Sequence, residues 1–160
     1  MSGFCGEYPR TLDSKNRVQL PAIWKKGLPE DLMLVPFTAH DEFHSIRVFP
    51  KEGFATFLEA IFASDGGFQF GDQDHNDLRA AFTMDARQAQ QDSAGRIIIP
   101  VDLQELVGLD KEVVAAGEWD YLSLWNPETH QRYKEQAKAK AKAAFRSTRS
   151  AQPAPSPQAL

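Results

Sequence analysis

The chain has 160 residues, of which 25% are charged and 42% hydrophobic, as is ordinary for a globular protein. Its unbroken apolar runs are only a few residues long, and its N-terminus, M-S-G-F-C-G-E-Y, resembles no signal peptide. The single cysteine, Cys5, excludes an internal disulfide framework and zinc sites built from several cysteines. We therefore expect a soluble cytoplasmic protein with no membrane partner.

The formal net charge of -4 is unevenly distributed along the chain. Residues 134–149 carry six basic side chains against one acidic one, so the first 133 residues are strongly acidic. An acidic body argues against a nucleic-acid partner, because domains that bind nucleic acids are usually basic. Residues 10–26 nevertheless form a basic island with Asp13 as the one acidic residue: Arg10, Lys15, Arg17, Lys25 and Lys26. Local charge of this kind steers ligands more than the total charge does.

A nonapeptide frame inside this island occurs a second time in the chain. Residues 13–21 read D-S-K-N-R-V-Q-L-P, and residues 92–100 read D-S-A-G-R-I-I-I-P. Both copies then reach a Gly-Leu pair, an apolar run and an aromatic-bearing strand, so the whole unit is repeated. One such unit is too small to bury a core alone, and two units that share a core explain the duplication.

The repeat predicts the same elements twice, in the same order. In the first unit these are strands at 7–12 and 17–20, a helix between Pro21 and Gly27, strands at 32–35 and 46–49, and a helix opened by residues 50–52. In the second unit they are a strand-turn-strand around 92–95, a helix between Pro100 and Gly108, strands at 113–116 and 121–125, and a helix opened by residues 126–128.

Asn16 and Gly95 occupy the same slot of the two turns, and these residue types tolerate a positive φ best. A tight turn would hold the next residue, Arg17 or Arg96, away from the sheet. Arginine presents a planar fork of donors that matches guanine or phosphate. The alternative interpretation is that Asp13–Arg17 and Asp92–Arg96 are structural pairs that lock two hairpins.

Other candidate sites have weaker support. His40 and His44 have the spacing of two metal ligands on a helix, but Pro36 to Thr38 favour a loop there. Residues 72–77 begin like a calcium loop but lack its glycine and closing glutamate. We expect no metal, no cofactor, no small-molecule substrate and no enzymatic activity. One helical face carries apolar residues that favour a core or a subunit contact: Phe54, Phe57, Leu58, Ile61 and Phe62.

The G-E-Y near the N-terminus, the L-D-S-K-x-R frame and D-x-x-G-R-I-I-I-P together resemble the MraZ family over about residues 4–135. That resemblance implies an α+β fold, a β-rich duplicated AbrB-like swapped-hairpin barrel with peripheral helices and a disordered C-terminal tail. The boundaries it implies are a first repeat at 4–63, an acidic linker at 64–84, a second repeat at 85–136 and a basic, then Pro-rich, tail at 137–160.

The resemblance also implies a function. Members of the family are DNA-binding bacterial transcriptional regulators that assemble into rings and act on the division and cell-wall gene cluster encoding them. We therefore expect a homo-oligomer at the nucleoid, bound to double-stranded DNA with repeated short sites. The expected DNA-binding residues are Ser14, Lys15, Asn16, Arg17 and Arg96, with Asp13, Asp92 and Gly95 supporting the turns. Arg96 should contribute less than Arg17, because Ala94 and Gly95 leave it without basic neighbours in sequence.

Two alternatives stay open at this point. One is an AbrB-type antitoxin, which also binds DNA, although such proteins usually carry one unit per chain. The other is a structural oligomer that binds no nucleic acid. The chain also departs from the family pattern, with Cys5 where a basic residue is usual, Asn16 in place of glycine, and a tail after Arg132 that has no counterpart.

Overall fold

The computed structural model describes residues 3–151, and within that range it contains eight strands and five α-helices. In chain order they are β1 (Glu7–Thr11), β2 (Arg17–Gln19), α1 (Ala22–Lys25), β3 (Asp31–Ala39), β4 (Phe43–Pro50), α2 (Lys51–Ile61), α3 (Gln73–Met84), β5 (Arg87–Gln90), β6 (Arg96–Ile98), α4 (Val101–Val107), β7 (Glu112–Gly117), β8 (Leu122–Trp125) and α5 (Pro127–Ala151). The elements predicted from the repeat are all present, and α3 is an addition to them.

Proline starts the first helix of each unit, as the sequence predicts. The carbonyls of Pro21 and Pro100 accept hydrogen bonds from the amides of Trp24 and Leu103 at 3.0 and 3.1 Å. Helix α4 ends at Gly108, which has a φ of 69° and so takes the left-handed conformation that favours glycine. Helix α1 is shorter than expected and ends at Lys25, before Gly27.

The two units exchange strands, and this exchange organises the whole fold. Strand β1 of the first unit pairs with β7 of the second, while β5 of the second pairs with β3 of the first. Strands β4 and β8, which occupy equivalent places in the two units, pair with each other at the centre. The resulting sheet has the order β1-β7-β8-β4-β3-β5, which reads the same from both ends once equivalent strands are interchanged. The molecule therefore has a pseudo-twofold axis between β4 and β8.

The remaining strands, β2 and β6, form a separate two-stranded antiparallel ribbon. The α+β fold class is thereby confirmed, with a sheet-rich body and helices around it. The six-stranded sheet is open, so the strands do not close into a barrel. No helix in the described range is both long and apolar enough to cross a membrane.

The main core lies between the ribbon and the sheet, and both units contribute to it. The inward side chains of the ribbon, Val18 and Ile97, are completely buried, as are Ile46 and Leu124 of the central strands. Burying a side chain of this size stabilises the fold by roughly 1.5–3 kcal/mol. Each unit supplies about half of this core, so neither unit buries it alone.

The acidic segment at 64–84 is more structured than the expected linker. It contains α3, whose N-cap, Asp72, accepts hydrogen bonds from the amides of Asp74 and His75. The ring of His75 is buried, packs against Phe62, and has Nε2 3.0 Å from a carboxylate oxygen of Asp65. A capped helix and a buried histidine make this segment a folded part of the body.

Helix α5 continues to Ala151, so the first part of the expected tail is helical. Residues 152–160, the Pro-rich end of that tail, lie outside the described residues. Near its start the helix is tied to the body by an ion pair between Lys134 and Glu7 at 2.6 Å and by the stacking of Tyr133 on Trp125. From residue 138 to 148 its side chains are exposed.

One local expectation was wrong. Pro36 to Thr38 belong to strand β3, which pairs with β4 along its length, and so they do not form a loop. His40 and His44 lie on the β3–β4 turn and the following strand, and among the described residues no group of three potential ligands surrounds a metal position. The apolar stripe on α2 packs within the chain, with Phe54 against Phe49 and Phe62 beside His75.

Candidate nucleic-acid interface

The first turn of the repeat is organised around the carboxylate of Asp13. One carboxylate oxygen accepts hydrogen bonds from the backbone amides of Lys15 and Arg17 at 2.8 and 2.9 Å. The other accepts from Nε of Arg17 at 2.8 Å. Asn16 has a φ of 61°, which closes the turn and confirms the conformation predicted for this slot. A single aspartate therefore fixes both the backbone of the turn and the direction of the arginine.

The second turn repeats this geometry closely. Asp92 accepts from the amides of Ala94 and Arg96 at 2.9 Å each and from Nε of Arg96 at 2.8 Å. Gly95 has a φ of 80° in the slot that Asn16 occupies in the first copy. The frame D-S-x-x-R thus adopts the same local structure in both copies.

Hydrogen bonding keeps both turn carboxylates ionised. The backbone amide of Arg17 is the largest influence that lowers the pKa of Asp13, and the amide of Arg96 does the same for Asp92. Each arginine uses only Nε for its aspartate. Within the described range, no protein acceptor lies in hydrogen-bond contact with the terminal amino groups of Arg17 or Arg96. These groups form a fork held in place at its base and open at its tip.

The two turns are joined by the ribbon of β2 and β6. Arg17 lies opposite Ile98, Val18 opposite Ile97, and Gln19 opposite Arg96. Two further bonds extend the pairing into the turns, from the Ile99 amide to the Asn16 carbonyl at 2.8 Å and from the Leu20 amide to the Gly95 carbonyl at 2.9 Å. The two copies of the nonapeptide therefore pair with each other as the two strands of one ribbon.

Alternation along the ribbon gives it one buried and one outward face. Val18 and Ile97 face the core, whereas the outward face carries Arg17, Gln19, Arg96 and Ile98. Two arginines thus lie on a diagonal of the same small surface, with a turn at each end of the ribbon. A two-stranded β-ribbon is one of the elements that fit the major groove of B-DNA.

Comparison with known proteins decides the family of this chain. The MraZ family model, described as "MraZ protein, putative antitoxin-like", matches residues 82–150. A protein named "Transcriptional regulator MraZ" from Carboxydothermus hydrogenoformans is 33% identical over 81% of this chain and 85% of its own length. Proteins with the same name from Oenococcus oeni and Gluconacetobacter diazotrophicus are 31% and 29% identical, over 81% and 89% of this chain and 85% and 90% of their own lengths.

This chain belongs to the MraZ family. The resemblance inferred from the sequence motifs is therefore confirmed. The turns around Asp13 and Asp92, with the ribbon between them, are the structure that the repeated nonapeptide forms in this chain.

In this MraZ chain the strand exchange brings a lysine to the second turn that the sequence analysis did not place there. The amine of Lys25, from α1 of the first unit, donates a hydrogen bond to the carbonyl of Ser93. Its methylene groups lie within 4 Å of the position that a Cβ on Gly95 would take. The sequence placed no basic residue next to Arg96, because only neighbours along the chain were considered. The contact between Lys25 and Ser93 corrects this, since it brings a basic residue to the second turn.

The equivalent residue on α4 is Gln104, and it contacts the first turn in the same way. Its amide nitrogen donates to Oδ1 of Asn16 at 3.1 Å and to the carbonyl of Ile99 at 2.8 Å. Each turn is therefore held by the helix of the other unit. Asn16 uses its side chain for this support, which leaves it less free for a ligand than Ser14 and Lys15, both of which are exposed.

The charges around the two turns still differ. The Leu12 amide, beside the first turn, donates to the carbonyl of Lys111, whereas the Gln91 amide, beside the second, donates to that of Glu30. A groove of about 680 Å³ beside the second turn is lined by Glu30, Asp31 and Asp92, with Lys51 as its basic member. The first turn therefore lies in the more basic neighbourhood, where an anionic ligand is bound more strongly.

Proposed function

We propose that this chain is a DNA-binding transcriptional regulator that contacts DNA through the outward face of the β2–β6 ribbon and its two turns. The observation that carries the proposal is the pair of arginine forks, each fixed at Nε by an aspartate and open at its tip. The names of the relatives point to the same class of function.

Pre-orientation explains why this geometry suits recognition. A flexible arginine loses rotamer freedom on binding, which costs roughly 0.5–1.5 kcal/mol for an immobilised side chain. Arg17 and Arg96 are already ordered by their bonds to Asp13 and Asp92, so less of that cost remains. The open amino groups match guanine O6 and N7, or a phosphate, in a bidentate contact.

The residues beside the forks complete the proposed interface. Lys15 and Ser14 are exposed on the first turn and supply contacts to phosphate, and Asn16 contributes through its backbone position. Lys25 adds a positive charge at the second turn. Phosphate contacts of this kind position the protein, while the arginines read bases.

We further propose that the target is the promoter of the division and cell-wall cluster that encodes the chain, with repeated short sites bound by a ring of subunits. The protein then acts in the cytoplasm, at the nucleoid. A ring of subunits should bind repeated sites more tightly than a single site. Once one subunit is bound, the effective concentration of the other subunits at the neighbouring sites is raised. In this account the chain needs no cofactor and catalyses no reaction.

Footprinting on the DNA upstream of the chain's own gene tests the proposal. The expected result is protection of short sites at a regular spacing, lost when salt is raised, since neutralised phosphates release counterions. Protection that is absent at low salt would contradict it and favour a structural oligomer. Protection that is equal on unrelated DNA would contradict sequence-specific regulation. The description "antitoxin-like" keeps one more alternative open. Co-purification of a toxin encoded next to the gene would favour it.

A further inference from the structure

The outward face of the ribbon is symmetric in its arginines and asymmetric in the two residues between them. The pseudo-twofold axis exchanges Arg17 with Arg96 and Gln19 with Ile98. Gln19 and Ile98 are both exposed, Ile98 to 60%, and each is a cross-strand neighbour of an arginine. The outward face therefore carries four neighbouring side chains. The two arginines are identical residues at symmetry-equivalent positions, whereas Gln19 and Ile98 are different residues at symmetry-equivalent positions.

Gln19 and Ile98 lie on the outward face of the ribbon, away from the core. The core contacts of these strands are made by Val18 and Ile97, which point the other way. Ile98 is 60% exposed and lines the groove beside the second turn, so most of its side chain is available to a ligand. A ligand held by Arg17 and Arg96 would also contact the two residues that lie between them on the same face.

Resting on the proposed function, we propose that Gln19 and Ile98 make the DNA site of each chain directional. Glutamine offers a donor and an acceptor that match adenine N6 and N7, whereas isoleucine offers only apolar contact, which suits the methyl group of thymine. The two arginines face equivalent guanines, and the bases facing Gln19 and Ile98 are adenine and thymine respectively. The preferred site is therefore not a palindrome, although the scaffold is nearly twofold symmetric.

The support around Gln19 strengthens this assignment. Its amide nitrogen donates to the carbonyl of Ala94 in the second turn at 3.2 Å, which orients the amide plane and leaves the oxygen and one N–H available. The residue equivalent to Ala94 in the first turn is Lys15. By the pseudo-twofold symmetry, its carbonyl is the acceptor expected for a glutamine at position 98, and because Ile98 is 60% exposed, Ile98→Gln opens no buried cavity.

Selection from random duplexes with the full-length chain tests the inference. The wild type is expected to enrich a non-palindromic site, and Ile98→Gln a site with adenine in both equivalent positions. Gln19→Ile should enrich thymine in both. On the wild-type site, each variant should bind roughly fivefold or more weakly, the loss of one base-specific contact. Both residues are exposed, and unchanged melting temperatures will show that the variants fold.

The outcomes separate this inference from the proposed function. If the wild type binds a specific site, and both variants enrich that same site with affinities within about twofold, the inference is overturned while the function stands. If the wild type enriches no sequence at all, the proposed function fails and the inference fails with it. A palindromic wild-type site would also overturn the inference, because a face with unequal diagonals cannot prefer one.

Discussion

The amine of Lys25 donates a hydrogen bond to the carbonyl of Ser93, so a side chain of the first unit contacts the turn of the second. This contact exists only because β1 and β5 have exchanged partners and the two nonapeptides pair through β2 and β6. The positive charge of the first basic island is thereby divided between the two turns. Arg17 has Lys15 beside it in sequence, and Arg96 has Lys25 beside it in space.

Removing Lys25 should therefore weaken DNA binding at the second turn. Lys25→Gln keeps a hydrogen-bond donor near Ser93 but removes the charge, so the turn should stay folded. We expect weaker binding and a salt dependence whose slope falls by about one phosphate contact. Titrations of labelled promoter DNA at several salt concentrations measure both quantities.

The matched control for this change is Lys26→Gln, because Lys26 is exposed one residue further along the chain. It removes the same charge from the same region without touching the second turn. Equal losses for the two variants would show that only the total charge matters and that the contact with Ser93 has no special role in binding.

The turn carboxylates should make stability depend on acid pH. Both Asp13 and Asp92 have a folded-state pKa below the ordinary 3.8, so their stabilising effect is fully present above that value. It is lost as the pH falls through the lowered pKa, because the neutral acid accepts the backbone amides more weakly and no longer pairs with the arginine. We expect the melting temperature of the wild type to decrease when the pH is lowered past about 4.

The variant Asp13→Asn with Asp92→Asn should melt at a lower temperature at pH 7 and lose less on acidification. Asparagine still accepts the turn amides but forms no ion pair with Nε. Thermal melts between pH 3 and 7 show the two curves approaching each other at the acid end. Glu105→Gln, at an exposed position on α4, is the control and should follow the wild type.

The exposed part of α5 should contribute to binding but not to folding. A chain ending at residue 136 keeps the Lys134–Glu7 ion pair and the packing of Tyr133 on Trp125. We expect its melting temperature to stay close to that of the full chain. Binding should weaken on all DNA sequences alike, and its salt dependence should become shallower, because five basic side chains are lost. Aggregation of this truncated chain would show that the helix after residue 136 belongs to the core.

The assembly should be larger than a dimer, yet the two buried phenylalanines of the α2 stripe are not available to form its interface. Phe54 and Phe62 are 7% and 2% exposed and pack within the chain. Light scattering should give a mass well above twice 17.9 kDa. A monomer at micromolar concentration would contradict the expected ring.

Phe54→Ala should lower the free energy of unfolding by about 3–5 kcal/mol, because Phe54 packs in the interior of the chain.

Local structure was predictable where one residue type determines it. The Asn16 and Gly95 slot indicated a positive φ, and each Asp-to-Arg spacing indicated a carboxylate that holds a turn, as found. Helix starts at Pro21 and Pro100 followed from the missing amide of proline. In each case the interaction joins residues at most a few positions apart.

Strand exchange was not derivable from the same residues, because pairing partners depend on the whole sheet. Nothing in the sequence of β1 states that it pairs with β7 and not with β3. The position of Lys25 follows from that pairing, so it could not be found by counting basic neighbours along the chain. Helix α3 had a usable signal in the capping Asp72, which the acidic composition of the segment concealed.

The contribution of Arg17 to DNA binding is the most direct test of the account. Arg17→Ala should weaken specific binding by about 1–3 kcal/mol for each guanine contact that it makes. Arg96→Ala should cost less, since Glu30 and Asp31 line the groove beside the second turn. Arg17→Lys should keep general attraction to DNA and lose the preference for the specific site. Binding by purified Arg17→Ala at wild-type strength, with an unchanged melting temperature, would contradict the account and leave the repeated nonapeptide as a hairpin lock.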